Sequence, residues 1–93
     1  MTATLIHRTK QVTIEGHIIE VVVWLVPSPV DPSRHDFKYR AVYIVDGKRV
    51  VGFDNERGKG DHQHIGGREV AYAFSTVDQM IEDFYAAIEA RRR

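Results

Sequence analysis

The chain has 93 residues, of which 43% are hydrophobic and 28% charged, so one folded domain spanning residues 1–93 is expected rather than a disordered segment or two cores. Cysteine is absent, which removes disulfides, zinc–thiolate sites and thiol chemistry together and suits a reducing cytoplasm. Thirteen basic side chains cancel thirteen acidic ones, so no global positive field draws the chain onto nucleic acid. The opening MTATLIHRTK lacks the apolar stretch of a secretory signal, and no apolar run approaches the roughly 20 residues that span a bilayer; a cytoplasmic protein without membrane contact is expected.

Residues 4–14 and 17–26 are rich in β-branched side chains and are separated by Glu15-Gly16, which predicts an antiparallel hairpin. In the second run both alternating sets are largely apolar, as in a central strand covered on two sides. That pattern places Trp24 in the core. All the prolines fall in PSPVDPSRHD (27–36), where each one removes a ladder donor, so an exposed loop is expected. FKYRAVYIV (37–45) resumes the strand alternation, Asp46-Gly47 is the strongest hairpin signal of the chain, and KRVVGFDN (48–55) returns from it. REVAYAF (68–74) reads as a fifth strand. From Thr76 the period becomes helical through Val77, Met80, Ile81, Phe84, Tyr85 and Ile88, with Thr76 and Gln79 as a capping box and Arg91 to Arg93 as a solvated tail.

The order β-β-β-β-β-α predicts an α+β fold, an antiparallel sheet of about five strands with one C-terminal helix packed on one face. The second face is then free for water or a partner. Phe37, Tyr39, Tyr43 and Phe53, if they lie there, favour a homodimer or a protein partner.

The stretch GKGDHQHIGG (58–67) concentrates the chemistry. Hairpin loops take about 2–5 residues, so a polar, glycine-rich connector over 56–67 asks for a functional reason. In extended backbone, residues two apart share a side, so His62 and His64 can present both imidazoles to one spot. Imidazoles titrate near neutral pH and can act as acid and base. Cleaving RNA needs one group to take the proton of the 2′-OH, another to protonate the departing 5′-oxygen, and a cation beside the phosphorane; Arg57, Lys59 and Arg68 bracket the pair for that purpose. Gly58, Gly60, Gly66 and Gly67 let backbone N–H groups approach an anion. The rival is a divalent metal held by His62, His64 and Asp54, with Asp61, Glu56 or His35 as further candidates; otherwise no cofactor is expected. A His-x-His in a glycine-rich loop is commonly exposed and idle, and His7, His17 and His35 read as surface residues.

Taken together, FDNERGKGDHQHIGGRE (53–69), the preceding YRAVYIVDGKRVVG (39–52) and the closing helix resemble the TumE family of type II toxin–antitoxin proteins. The resemblance spans nearly the whole chain. It implies a small cytoplasmic toxin with a cognate antitoxin, often one carrying a helix-turn-helix, and a functional core of Asp54, Asn55, Gly60, His62 and His64. Lys59, Asp61 and Arg68 join that set on charge and proximity alone. The first expectation is metal-independent cleavage of RNA, with His62 and His64 as acid and base and Arg57, Lys59 or Arg68 at the phosphate. The second is a non-enzymatic module that binds RNA or protein through the same loop and Lys38, Arg40 and Arg49.

Overall fold

The computed structural model describes residues 2–92. Strands β1 (Thr4–Val12), β2 (Ile18–Leu25), β3 (Phe37–Val45), β4 (Lys48–Glu56), β5 (Gly60–Ile65) and β6 (Arg68–Ala71) precede one helix, α1 (Val77–Arg91). The strands pair in chain order as one antiparallel meander. The α+β class and the single C-terminal helix are those expected; the strand count is six because the glycine-rich stretch is itself a strand. Its glycines bracket β5 instead of loosening it. Gly58, Gly60 and Gly66 all have positive φ, so they turn the chain at the two ends of β5 at no side-chain cost. The expected strand over 68–74 ends at Ala71, and the long connector over 56–67 does not exist as a loop.

The Asp46-Gly47 turn is present, with φ of 52° and 77°, the left-handed pair that a tight hairpin requires. The β1–β2 connection is longer than two residues: Thr13 N–H donates to the His17 carbonyl at 2.8 Å. Thr76 caps α1, its hydroxyl accepting from Gln79 N–H at 3.0 Å. The Gln79 amide reaches forward to Asp83 at 2.9 Å instead of closing the reciprocal half of the capping box. Arg91 ends the helix, and Arg93 lies outside the described residues.

Met80, Phe84 and Ile88, four residues apart on one side of α1, pack on Ile19, Val21, Val23, Tyr39, Ala41, Tyr43, Val51 and Phe53. Burying each large apolar side chain contributes about 1.5–3 kcal/mol, so this seam fixes which sheet face is covered. Tyr39, Tyr43 and Phe53 therefore belong to the core, with Phe37 half-buried against it, and they offer no sticky second face. Trp24 is the opposite correction: it lies on the uncovered face and is 38% exposed. The sheet alternation sent it outward because α1 covers only one side.

Alternation also sorts the uncovered face into cross-strand rows. Arg8, Val22, Arg40, Asp54, His62 and Ala71 are successive register partners, and Lys10, Glu20, Val42, Gly52, His64 and Glu69 form a second continuous line. The site lies where these rows cross β4, β5 and β6.

Candidate active site

His62 and His64 project from β5 to the same face, with ring centroids 5.1 Å apart and nearly perpendicular planes. Their side chains are only 7% and 17% exposed. Two carboxylates complete the group. Asp54, the register partner of His62, brings Oδ1 to 2.6 Å from His62 Nε2. Glu69, the partner of His64, brings Oε2 to 2.9 Å from His64 Nε2 and 3.7 Å from His62 Nε2. The His62 ring is oriented from behind, since Nδ1 donates to the Gly60 carbonyl at 3.0 Å; a carbonyl only accepts, so this nitrogen carries hydrogen and Nε2 is the one turned to the site.

Electropositive groups edge the cluster. Gly52 is the register partner of His64, and a Cβ there would stand 2.8 Å from Arg49 Cδ. The missing side chain lets Arg49 lie along the sheet toward His64, helped by the β3–β4 register shift between Tyr43 and Ile44 that sets Arg49 opposite Ile44. Partial burial, then the charge of Arg49, hold the His64 imidazole below its ordinary pKa, against the opposing pull of Glu69 and Asp54. Lys59, on the β4–β5 turn, reaches Glu69 at 3.4 Å and Glu56 at 3.7 Å. Partial burial pushes the Glu69 carboxyl up, but Lys59, His64 and His62 outweigh it and hold Glu69 below the usual carboxylate range. A shallow recess of about 190 Å³ opens beside Lys59, His62, Glu69 and Ala71.

The other residues expected near the phosphate divide by face. Arg40 shares the row of Asp54 and makes a 3.5 Å ion pair with Glu20. Arg57 stands exposed on the β4–β5 turn. Arg68 pairs with Ile65, one step out of phase with the His64–Glu69 pair, so alternation turns it to the helix side. Asn55 and Asp61 also point to that side. Asn55 is fully buried: its Oδ1 accepts from Tyr39 N–H at 3.0 Å, and its amide donates to the Phe37 carbonyl at 2.7 Å and to Ser33 Oγ at 3.3 Å.

Asp61 anchors a second polar cluster, in which its carboxylate accepts from Ser33 Oγ at 2.5 Å, His35 Nε2 at 2.6 Å and Tyr39 OH at 2.7 Å. Burial and the neighbouring Asp61 charge push the Tyr39 hydroxyl far above its ordinary pKa, so it stays a hydrogen donor. His35 is not the free surface residue expected. Its Nδ1 accepts from Phe37 N–H at 3.2 Å, and its ring stacks on Phe74 at 3.7 Å. Gly58 N–H donates to the Asp31 carbonyl at 2.8 Å, and Gly60 sits against Pro32, where a Cβ would come within 3.2 Å of the proline ring. The proline-containing loop is thus clamped beneath the start of β5, with Asn55, Asp61 and Gly60 among the residues that hold it. His17 is half-buried too, its Nδ1 paired with Tyr43 OH at 3.1 Å.

Glu69 is the site residue absent from the sequence-based expectation, and a signal for it was present. Gly66-Gly67 is a two-residue hairpin dipeptide, and folding the chain about it pairs His64 with Glu69 directly.

A six-stranded meander with one covering helix and a carboxylate–imidazole cluster on its bare face defines a small α+β protein with a polar, partly shielded candidate site. The chain belongs to the Toxin TumE family, whose model matches residues 2–92. Membership assigns it as a toxin of a toxin–antitoxin system, with an antitoxin as its partner. No curated protein and no solved structure matches it. Among the described residues no helix is long and apolar enough to cross a membrane.

Proposed function

We propose that the toxin cleaves RNA at the His62–His64 pair without a metal. In this reading His64, kept neutral by partial burial and Arg49, takes the proton of the ribose 2′-OH. The 2′-oxygen attacks phosphorus, the bond to the 5′-oxygen breaks, and His62 supplies that oxygen with a proton. The products are a 2′,3′-cyclic phosphate and a 5′-hydroxyl. Asp54, 2.6 Å from His62 Nε2, stabilises the protonated imidazole, and Glu69 orients His64. Arg49, Lys59 and Arg40 supply positive charge for the phosphorane. The supporting observation is the convergence of two shielded imidazoles and two carboxylates on one bare face, edged by cations. A toxin acting on cellular RNA is expected to work in the cytoplasm, with a helix-turn-helix antitoxin as its partner.

A second reading has one observation in its favour. Asp54 Oδ1 is buried, and although His62 Nε2 is 2.6 Å away no donor is aligned on it. One ligand atom each from Asp54, His62 and His64 lies within 4.8 Å of the others, a nitrogen–oxygen set that zinc or manganese accepts. When bound, such an ion would activate water and neutralise the carboxylates; the same residues would hold it, with Glu69 beside them.

Induction in cells of the parent, His62→Ala and His64→Ala chains tests the first reading. Both variants are expected to fold and to lose growth inhibition. Equal toxicity of parent and both variants would end the catalytic assignment. Cleavage that persists in excess chelator supports the metal-free reading, and cleavage that stops there and returns with manganese or zinc supports the second.

A further inference from the structure

The site occupies β4 to β6, yet the bare face continues across β1 to β3, and its residues there are not those of an idle surface. Trp24 sits on an internal strand, flanked in register by Leu5 and Lys38, and remains 38% exposed. Tryptophan has a large apolar surface that is ordinarily buried, so leaving this ring in water needs a reason. Lys38 adjoins it on β3, and Arg8 and Arg40 stand one row away on β1 and β3. On the bare face of β1 to β3 stand Arg8, Lys10, Lys38 and Arg40, against the carboxylate of Glu20. A chain of zero net charge has therefore gathered a positive strip on this face.

We infer that the bare face of β1 to β3 is a track for single-stranded RNA, with Trp24 stacking on one base and Arg8, Lys10 and Arg40 holding phosphates, and that it leads the strand to His62 and His64. The inference rests on the reading of RNA as the substrate. The register carries the geometry: Arg8 and Arg40 lie in the row of Asp54 and His62, Lys10 in the direction of His64, and Trp24 one row along. From β2 to β5 is three strand spacings, about 14 Å, a span of a few nucleotides. An indole lying on a sheet can stack only on an unpaired base, because a duplex keeps its base faces covered, and stacking with a backbone-tracking positive strip is the sequence-tolerant way to hold a single strand.

Trp24 is the chain's single tryptophan, so its fluorescence reports on this face alone. In the His64→Ala variant, which leaves RNA intact under the proposed chemistry, a uridine decamer is expected to quench the emission saturably and a duplex of equal length to quench it much less. With a labelled decamer followed by anisotropy, Trp24→Ala weakens binding roughly 5- to 100-fold and Trp24→Phe restores most of it. Replacing Arg8 and Lys10 by Ala lowers the salt slope by about 0.7 for each phosphate no longer neutralised. Binding without quenching, equal quenching by duplex, or unchanged affinity in Trp24→Ala overturns the track. So does quenching by the antitoxin with none by RNA, which would give the face to the protein partner. Cleavage is scored separately on the parent chain: quenching without any RNA cut removes the nuclease reading and keeps the track, whereas His64-dependent cutting without quenching removes the track alone.

Discussion

Two histidine–aspartate clusters lie back to back on the start of β5, and they differ in how fully their polar atoms are satisfied. On the helix side, His35 uses both ring nitrogens, and Asp61 accepts from Ser33, His35 and Tyr39. On the bare side, Asp54 keeps a buried oxygen with no aligned donor, and among the described residues no contact engages His64 Nδ1. The helix-side cluster is the more fully satisfied and stabilises the fold, whereas the bare-side one retains more capacity for protons, phosphate or metal. Proximity in sequence does not make the distinction, because Asp61 and His62 are adjacent and serve opposite faces.

The largest expected effect lies on the bare side. His64→Ala should lower the rate of RNA cleavage by about 10²- to 10⁴-fold while leaving the thermal midpoint within a few degrees of the parent. A large loss of stability would place His64 with the structural cluster and erase the contrast. Asp61→Ala is the mirror experiment: it strands the donors of Ser33, His35 and Tyr39, and urea unfolding should show a loss of roughly 2–4 kcal/mol. The rate of cutting by whatever fraction stays folded should change little. Asp54→Asn, by contrast, should cost under about 1 kcal/mol of stability and most of the activity.

The pH dependence sharpens the same contrast. The His64 imidazole is held below its ordinary pKa, and a base works only when deprotonated, so the acid limb of kcat/KM should lie below about pH 6.5. Removing a positive neighbour favours the imidazolium, so Arg49→Met should move that acid limb upward in pH. A limb that does not move would show that Arg49 lies off the site. The smallest effect belongs to Gly52→Ala, whose Cβ forces the flexible Arg49 side chain to shift. A few-fold loss of rate with near-parental stability is expected, and a stability loss above about 2 kcal/mol would mean that the backbone moves instead.

These contrasts also show which features the sequence made legible. Asp46-Gly47 and Thr76 are local signals, in which one side chain or one φ decides the element, and both elements formed where expected. The helix seam at Met80, Phe84 and Ile88 follows from period alone. The convergence of His62, His64 and Asp54 was legible from residue types, but the scaffold that brings them together was not. Four glycines in ten positions read as a loop, whereas they cap a strand whose polar residues serve two different faces. Trp24 was misplaced because an apolar strand does not say how many of its faces will be covered; that depends on one helix being present and no second layer. His35 and Asn55 belong to a clamp built from residues some 20 positions apart, as in the Asn55–Ser33 contact, which no local pattern announces.

If His62 and His64 transfer protons around a phosphodiester, the ends of the cut strands reveal it most directly. After incubation of a single-stranded RNA with purified toxin in excess chelator, proton transfer by this pair predicts 2′,3′-cyclic phosphate and 5′-hydroxyl termini that disappear with His64→Ala. Intact RNA, or cuts that carry 5′-phosphates and require a divalent ion, would contradict it.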